Sequence, residues 1–293
     1  MILEGIAITT SASLLLLYLC QNKLLYPSWI NKYRNVDALL SQEYDLPYTR
    51  EMLTTDDNIQ IEAYNLKNEN GNSISTILIL SPNAADIRLS LLIMDVFYNQ
   101  MNTSVFIYSY RGYGISQGQP TEEGLKKDAD CVIEYLKNDP FYKTKKLILY
   151  GRSLGGANAI YIASKYHNFV KGIILENTFL TVRKIIPYIL PVSKYFSFFC
   201  KDIWNSERDI VQIDQDVPFL FLSGLKDKIV PPSQMKRLYD LCPSRYRELF
   251  EFNEGGHNDT IIQDGYWEII EEFLKKYKMI DNEVKIEAMA PHL

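Results

Sequence analysis

The chain reads as one α/β body, a mostly parallel sheet with helices on both faces, and three observations lead there. Short apolar runs alternate with amphipathic stretches along most of its 293 residues, the pattern of strands buried on both faces by crossover helices. The runs STILIL, SVFIY, KLILY, GIILE and PFLFL are each bounded by Gly, Pro, Asn or Ser, which punctuate buried strands. No composition break divides the chain, and a hydrophobic content of 47% is enough for one large core.

The elements follow in order. From Gly5 through Asn22 no charge occurs, and SLLLLYLC is strongly apolar, close to the length a bilayer crossing requires. No basic region precedes this run, and LYLCQN lacks a small-x-small cleavage pattern. Residues 1–23 are therefore expected to form an uncleaved, single-pass membrane anchor, with Tyr26 and Trp29 as interfacial aromatics. Lys23, Lys32 and Arg34 follow the run and only the amino terminus and Glu4 precede it, so the positive-inside rule leans towards a cytosolic body; the membrane expected is one of the endomembrane system, endoplasmic reticulum, vacuole or plasma membrane. Of two glycosylation sequons, Asn102 and Asn258, the second adjoins a candidate site histidine, which leans the same way. Cys20 is either a palmitoylation site or an unmodified thiol.

A polar linker over residues 24–48 leads into an α/β domain expected over 49–278. REMLTTDD and NIQIEAYNLK are two strands joined by an Asp-Asp turn, forming an antiparallel edge. Strand STILIL, helix LSLLIMDVFYNQM, strand SVFIYSY, helix EGLKKDADCVIEYLK, strand KLILY, helix GANAIYIASKY and strand GIILEN alternate after it. The rhythm fails over residues 178–216. FLTVRKIIPYILPVSKYFSFFCKDIW is too apolar for a solvated loop and is cut by Pro187 and Pro191, so short helices forming a lid are expected. Its Phe196, Phe198 and Phe199 line an acyl pocket, touch a membrane or pack as lid core. Strands PFLFLSG and ELFEF follow, each with a helix behind it, and the tail over 279–293 is expected to fray.

A net charge of −5 and a pI near 5.4 give nucleic-acid binding no electrostatic support. The four cysteines are scattered with no Cys-x-x-Cys pair, which indicates neither a zinc knuckle nor a disulfide framework. No metal or organic cofactor is expected.

The chemistry centres on LILYGRSLGGANAI. Ser153 stands on a strand-to-helix turn, where Gly151 and Gly155 let strand and helix pass closely. The amide of Leu154 and the positive end of the helix dipole face the same spot, where an oxyanion can be held. A serine hydroxyl needs a base, usually a histidine oriented by a carboxylate. Of three histidines, His167 ends the helix behind Ser153 and His292 is in the tail. His257 follows the last strand, at the carboxyl edge of the sheet where Ser153 falls. Asp227, four residues past PFLFLSG, fits the acid. Asp259, two residues from His257, is taken as structural, and Asp216 precedes its strand. A second oxyanion amide is expected from Asn83 in the loop after STILIL; Pro82 has no N–H to give.

YSYRGYGISQG, LYGRSLGGANA, ILENTF, SGLKDKIVPP and GGHND, in this order and spacing, resemble the membrane-anchored α/β-hydrolases of the α/β-hydrolase domain-containing protein 13 group, with its fungal bud-emergence-homologue members. The resemblance runs from the anchor to about Lys278. It implies the α/β-hydrolase fold, a Ser153, Asp227 and His257 triad, and the Asn83 and Leu154 amides as oxyanion donors. Many relatives carry His-Gly where this chain has Ser81-Pro82. The reading is a membrane-anchored serine hydrolase cleaving an acyl ester or thioester, of a lipid or an acylated protein, through an acyl-enzyme. Its rivals are a non-catalytic binding or polarity protein on the same fold, and a serine peptidase.

Overall fold

The structure is a computed structural model that describes residues 18, 20–31, 46–69, 73–84, 87–189, 191 and 197–284. Its strands are β1 (Thr49–Thr54), β2 (Gln60–Leu66), β3 (Ser75–Leu80), β4 (Ser104–Tyr108), β5 (Lys146–Arg152), β6 (Val170–Glu176), β7 (Phe219–Gly224) and β8 (Arg247–Phe252). They form one sheet in the order β1-β2-β4-β3-β5-β6-β7-β8. β1 pairs with β2 and β2 with β4 antiparallel, and every pairing from β4 to β8 is parallel. The antiparallel edge and parallel body are those the alternation in the sequence predicts.

The helices are α1 (Leu91–Asp95), α2 (Glu122–Asn138), α3 (Leu154–Lys165), α4 (Val182–Ile189), α5 (Ser206–Asp209), α6 (Pro232–Leu241) and α7 (Tyr266–Lys276). Side chains alternate across a strand, and the central strands are apolar on both faces. Leu78, Leu80, Leu147, Leu149, Phe219 and Phe221 pack in one core with α2, α3 and α6. Their neighbours Ile77, Ile79, Ile148, Tyr150, Leu220 and Leu222 pack in a second with α1 and α7. The crossover from β3 to β4 therefore runs on one face and that from β4 to β5 on the other. The order reverses between β3 and β5, the kind of position where open α/β sheets place their ligand sites, beyond the carboxyl ends of the strands.

Three expectations are modified. LSLLIMDVFYNQM is not one regular helix: a 3₁₀ turn (Ile87–Ser90), α1 and a π-helical turn (Val96–Gln100) succeed one another. The wider last turn carries Val96, Phe97 and then Met101 into the core, with Phe97 edge-on to Tyr150 and Trp267. The tail does not fray at its start, because Met279 and Ile280 are buried and the Met279 carbonyl accepts from Ser75 Oγ. Residues 285–293 lie outside the described residues.

The third concerns the amino-terminal segment. Tyr26 is not an interfacial aromatic: it is 3% exposed, donates to Asp202 Oδ2 at 2.7 Å and accepts from Trp204 Nε1 at 2.9 Å. Asp202 Oδ2 also takes the Glu122 amide at 2.7 Å, and Glu122 Oε2 takes the amides of Ile203 and Trp204. One buried knot thus joins the segment after the apolar run, the start of α2 and the lid. Trp29, by contrast, is exposed. The lid region contains α4, a 3₁₀ turn (Ser197–Phe199), α5 and a further 3₁₀ turn (Ile210–Gln212), the short helices its prolines imply. Phe198 and Phe199 are exposed, which removes the lid-core reading for these two, and Phe196 lies outside the described residues. Among the described residues no helix is long and apolar enough to cross a membrane. Most of the expected anchor, residues 1–17 and 19, lies outside them.

Candidate active site

Ser153 connects β5 to α3 with φ 54° and ψ −117°, backbone angles that cost a non-glycine residue energy and are held only where the surroundings fix them. Its amide donates to the Glu176 carbonyl at 2.9 Å, and its carbonyl accepts from Thr178 Oγ1 at 2.7 Å. The end of β6 therefore holds the strained turn from both sides. The glycine pattern has a direct steric cause. A Cβ on Gly155 would lie 1.9 Å from the Leu80 carbonyl oxygen, and one on Gly151 would lie 2.4 Å from that of Gly155, so α3 starts against the ends of β3 and β5.

Asp227 and His257 arrive from the ends of β7 and β8. His257 Nδ1 lies 2.7 Å from Asp227 Oδ2, and His257 Nε2 lies 3.2 Å from Ser153 Oγ. The other Asp227 oxygen, Oδ1, accepts the amides of Ile229 and Val230, both at 2.8 Å, which fixes the carboxylate. With a carboxylate on Nδ1, the ring carries its proton there and offers Nε2 as the acceptor. The serine as a whole is 8% exposed. Asp259 is not part of this chain of bonds: its Oδ1 accepts the Gly256 amide and shapes the histidine loop.

Leu154 is the first residue of α3, so its amide is among those with no intrahelical acceptor. Asn83 lies in the exposed turn after β3. Its side chain, which carried no role in the sequence reading, is engaged. Nδ2 donates to the Leu25 carbonyl at 2.5 Å, and Oδ1 accepts from the Tyr113 hydroxyl at 2.7 Å. Tyr110, from the same loop after β4, donates to the Ser81 carbonyl at 2.9 Å. Burial pushes both phenols above their ordinary pKa, and they stay protonated donors. The same loop is tied to α2 by Arg111, whose Nε and backbone amide reach Asp128 at 2.8 Å while its outer nitrogens reach Asp57. Burial raises the Asp128 carboxyl to about 6, although Arg111 pulls it down.

Asn177 was not anticipated. It is 1% exposed with φ 44°; Nδ2 donates to the Gly256 carbonyl at 3.0 Å and to Thr260 Oγ1 at 2.9 Å. Its Oδ1 accepts the Gly224 amide at 2.8 Å. One side chain thus joins the ends of β6 and β7 to the histidine loop. The sequence signals are its place in ILENTF and an asparagine directly after an apolar strand, a residue that tolerates the left-handed region.

A mostly parallel sheet in this order, with a strained serine between the fifth strand and its helix, defines an α/β-hydrolase. The comparisons agree. The family model described as serine aminopeptidase S33 matches residues 97–209, which include Ser153 but end before Asp227 and His257. The uncharacterized membrane protein YNL320W of Saccharomyces cerevisiae is 56% identical, over 94% of this chain and 95% of its own length. Protein bem46 of Schizosaccharomyces pombe is 40% identical over 88% and 87%. The α/β-hydrolase domain-containing protein WAV2 of Arabidopsis thaliana is 32% identical over 91% of each. Among solved structures, the Pyrococcus furiosus esterase Pf2001 superposes with a TM-score of 0.69 at 18% identity, covering 84% of this chain and 98% of that one, a likeness of fold. The chain belongs to the α/β-hydrolase family of bem46 and WAV2.

Proposed function

We propose that this hydrolase is a membrane-anchored serine esterase or thioesterase working through an acyl-enzyme. The observation that carries the reading is the bonded series Asp227 Oδ2, His257 and Ser153 Oγ, at 2.7 and 3.2 Å, on a serine held in a strained turn. In this mechanism His257 Nε2 takes the hydroxyl proton as Ser153 Oγ attacks the acyl carbonyl carbon. Asp227 holds Nδ1–H and stabilises the imidazolium. The Leu154 and Asn83 amides receive the oxyanion, each worth roughly 3 kcal/mol in the transition state. The tetrahedral intermediate collapses, the bond to the leaving alcohol or thiol breaks, and His257 returns the proton to it. Water then attacks the acyl-serine with His257 again as base, releasing the acid and restoring the hydroxyl.

The anchor is supported by the uncharged run Gly5–Asn22 and by the membrane protein among the relatives. An acyl substrate is supported by the exposed lid aromatics and by the esterase among the structural neighbours. The aminopeptidase name of the matching family model favours peptide hydrolysis as the second reading. Turnover of p-nitrophenyl acyl esters and an acyl thioester, beside aminoacyl p-nitroanilides, separates the two with Ser153→Ala as control. The proposal expects ester or thioester cleavage that disappears in the variant. Anilide cleavage exceeding both contradicts it.

A further inference from the structure

Large apolar side chains exposed to water are unevenly placed on this molecule. Among the described residues the four that exceed 60% exposure are Leu24 (66%), Trp29 (67%), Ile189 (61%) and Phe198 (61%). Two lie on the amino-terminal segment and two in the lid. Phe199 at 55% and Ile30 at 51% accompany them. Apolar patches of this kind mark a binding surface when they are contiguous, and hydrogen bonds join these two segments. Gln21 Oε1 accepts the Lys201 amide at 2.6 Å, and Lys201 Nζ stands 4.5 Å over the Tyr18 ring. Arg183 of α4 donates to the Cys200 carbonyl at 2.7 Å. The buried Tyr26, Asp202 and Trp204 knot lies beneath.

We infer that residues 20–30 and the lid turn at Phe198 and Phe199 form a single docking face for an anionic lipid bilayer. The inference rests on the membrane-anchored reading above and extends it from the anchor to the lid. The chain outside the described residues says what covers the face: residues 5–17 belong to the uncharged run that continues into the helix over 20–25, so a bilayer holding that run lies against the segment bonded to the lid. Trp29 is placed as an interfacial aromatic and the phenylalanines as shallow insertions. Lys23 and Lys201, both exposed, supply the cations that anionic headgroups attract. The face brings the lid to the membrane surface where an acyl lipid or lipidated protein is found.

The tryptophans provide the test. There are three, and Trp204 and Trp267 are buried while Trp29 is exposed. The full chain is reconstituted in phosphatidylcholine and phosphatidylserine vesicles with brominated acyl chains, as wild type and as Trp29→Phe with Phe198→Trp. The inference expects bromolipid to quench the reporter at 198 at least twofold more than the buried pair, and less so when phosphatidylserine is omitted. A reporter at 198 untouched by bromolipid and equally open to acrylamide in vesicles and in detergent overturns it. Fluorophosphonate labelling of the same vesicles shows the fold and the serine separately, so a labelled, unquenched protein sinks the docking face alone. Extraction of the chain by alkaline carbonate sinks the anchored reading and the inference with it.

Discussion

Asn177 holds three chain segments with one amide, which makes it the side chain whose loss separates positioning from chemistry. Asn177→Ala keeps the side chains of Ser153, Asp227 and His257 but leaves the Gly224 amide without its acceptor and the Gly256 carbonyl with Thr260 Oγ1 as its remaining donor, so the aim of His257 loosens. We expect kcat to fall by about tenfold or more with KM nearly unchanged, because a misdirected base costs the transition state rather than binding. Steady-state kinetics beside circular dichroism checks this. Asp227→Asn is expected to lower kcat by about 10⁴-fold, as the ring adopts the wrong tautomer. Gly155→Ala places a Cβ 1.9 Å from a backbone oxygen and is expected to cost on the order of 3 kcal/mol or more, read as lost soluble expression or a lower Tm. Ser153, its glycines, Asp227 and His257 were legible in the sequence because each is marked by a local cue, a glycine spacing or a strand end. The roles of Asn177, Thr178 and Tyr113 were not, although ILENTF and YSYRGYGISQG contain them, because their bonds join residues 79, 25 and 30 positions apart.

At the scale of elements, the lid is held by the knot around Tyr26. Tyr26→Phe keeps the ring but leaves Trp204 Nε1 without its acceptor and removes a donor from Asp202. A cost of about 1–3 kcal/mol is expected for the buried groups left unpaired, seen as a lower Tm. The sequence marked Tyr26 only as an aromatic following an apolar run, and its partners lie 176 and 178 residues away. The lid's short helices were legible from Pro187 and Pro191; what they pack against was not. The loop after β4 makes a pH-dependent contribution through Asp57, whose carboxyl is held well below its usual range by the Arg111 hydrogen bonds. A depressed carboxylate stabilises the fold above its unfolded pKa of about 4, and that stability is lost as pH falls through the folded value. The Tm difference between wild type and Asp57→Asn should therefore be widest near neutral pH and narrow on acidification below about pH 4.

For the whole molecule, the two-faced burial of the sheet made the architecture readable. Strands β3 and β7 are buried at every position, which only helices on both sides accommodate; the order of the strands was not readable, because alternation does not say which neighbour each strand takes. The division of the stretch from Ile87 to Gln100 into a 3₁₀ turn, α1 and a π-helical turn was not readable, since hydrophobic periodicity does not mark a change of helix type. The fold brings residues from the ends of β5, β7 and β8 to one point, and the account rests on that point being a reactive serine. Fluorophosphonate labelling of the full chain, wild type beside Ser153→Ala, tests it most directly, with the adduct located by mass spectrometry. We predict one adduct, on Ser153, absent from the variant. A folded wild type that takes no label, or takes it at another residue, would contradict the account.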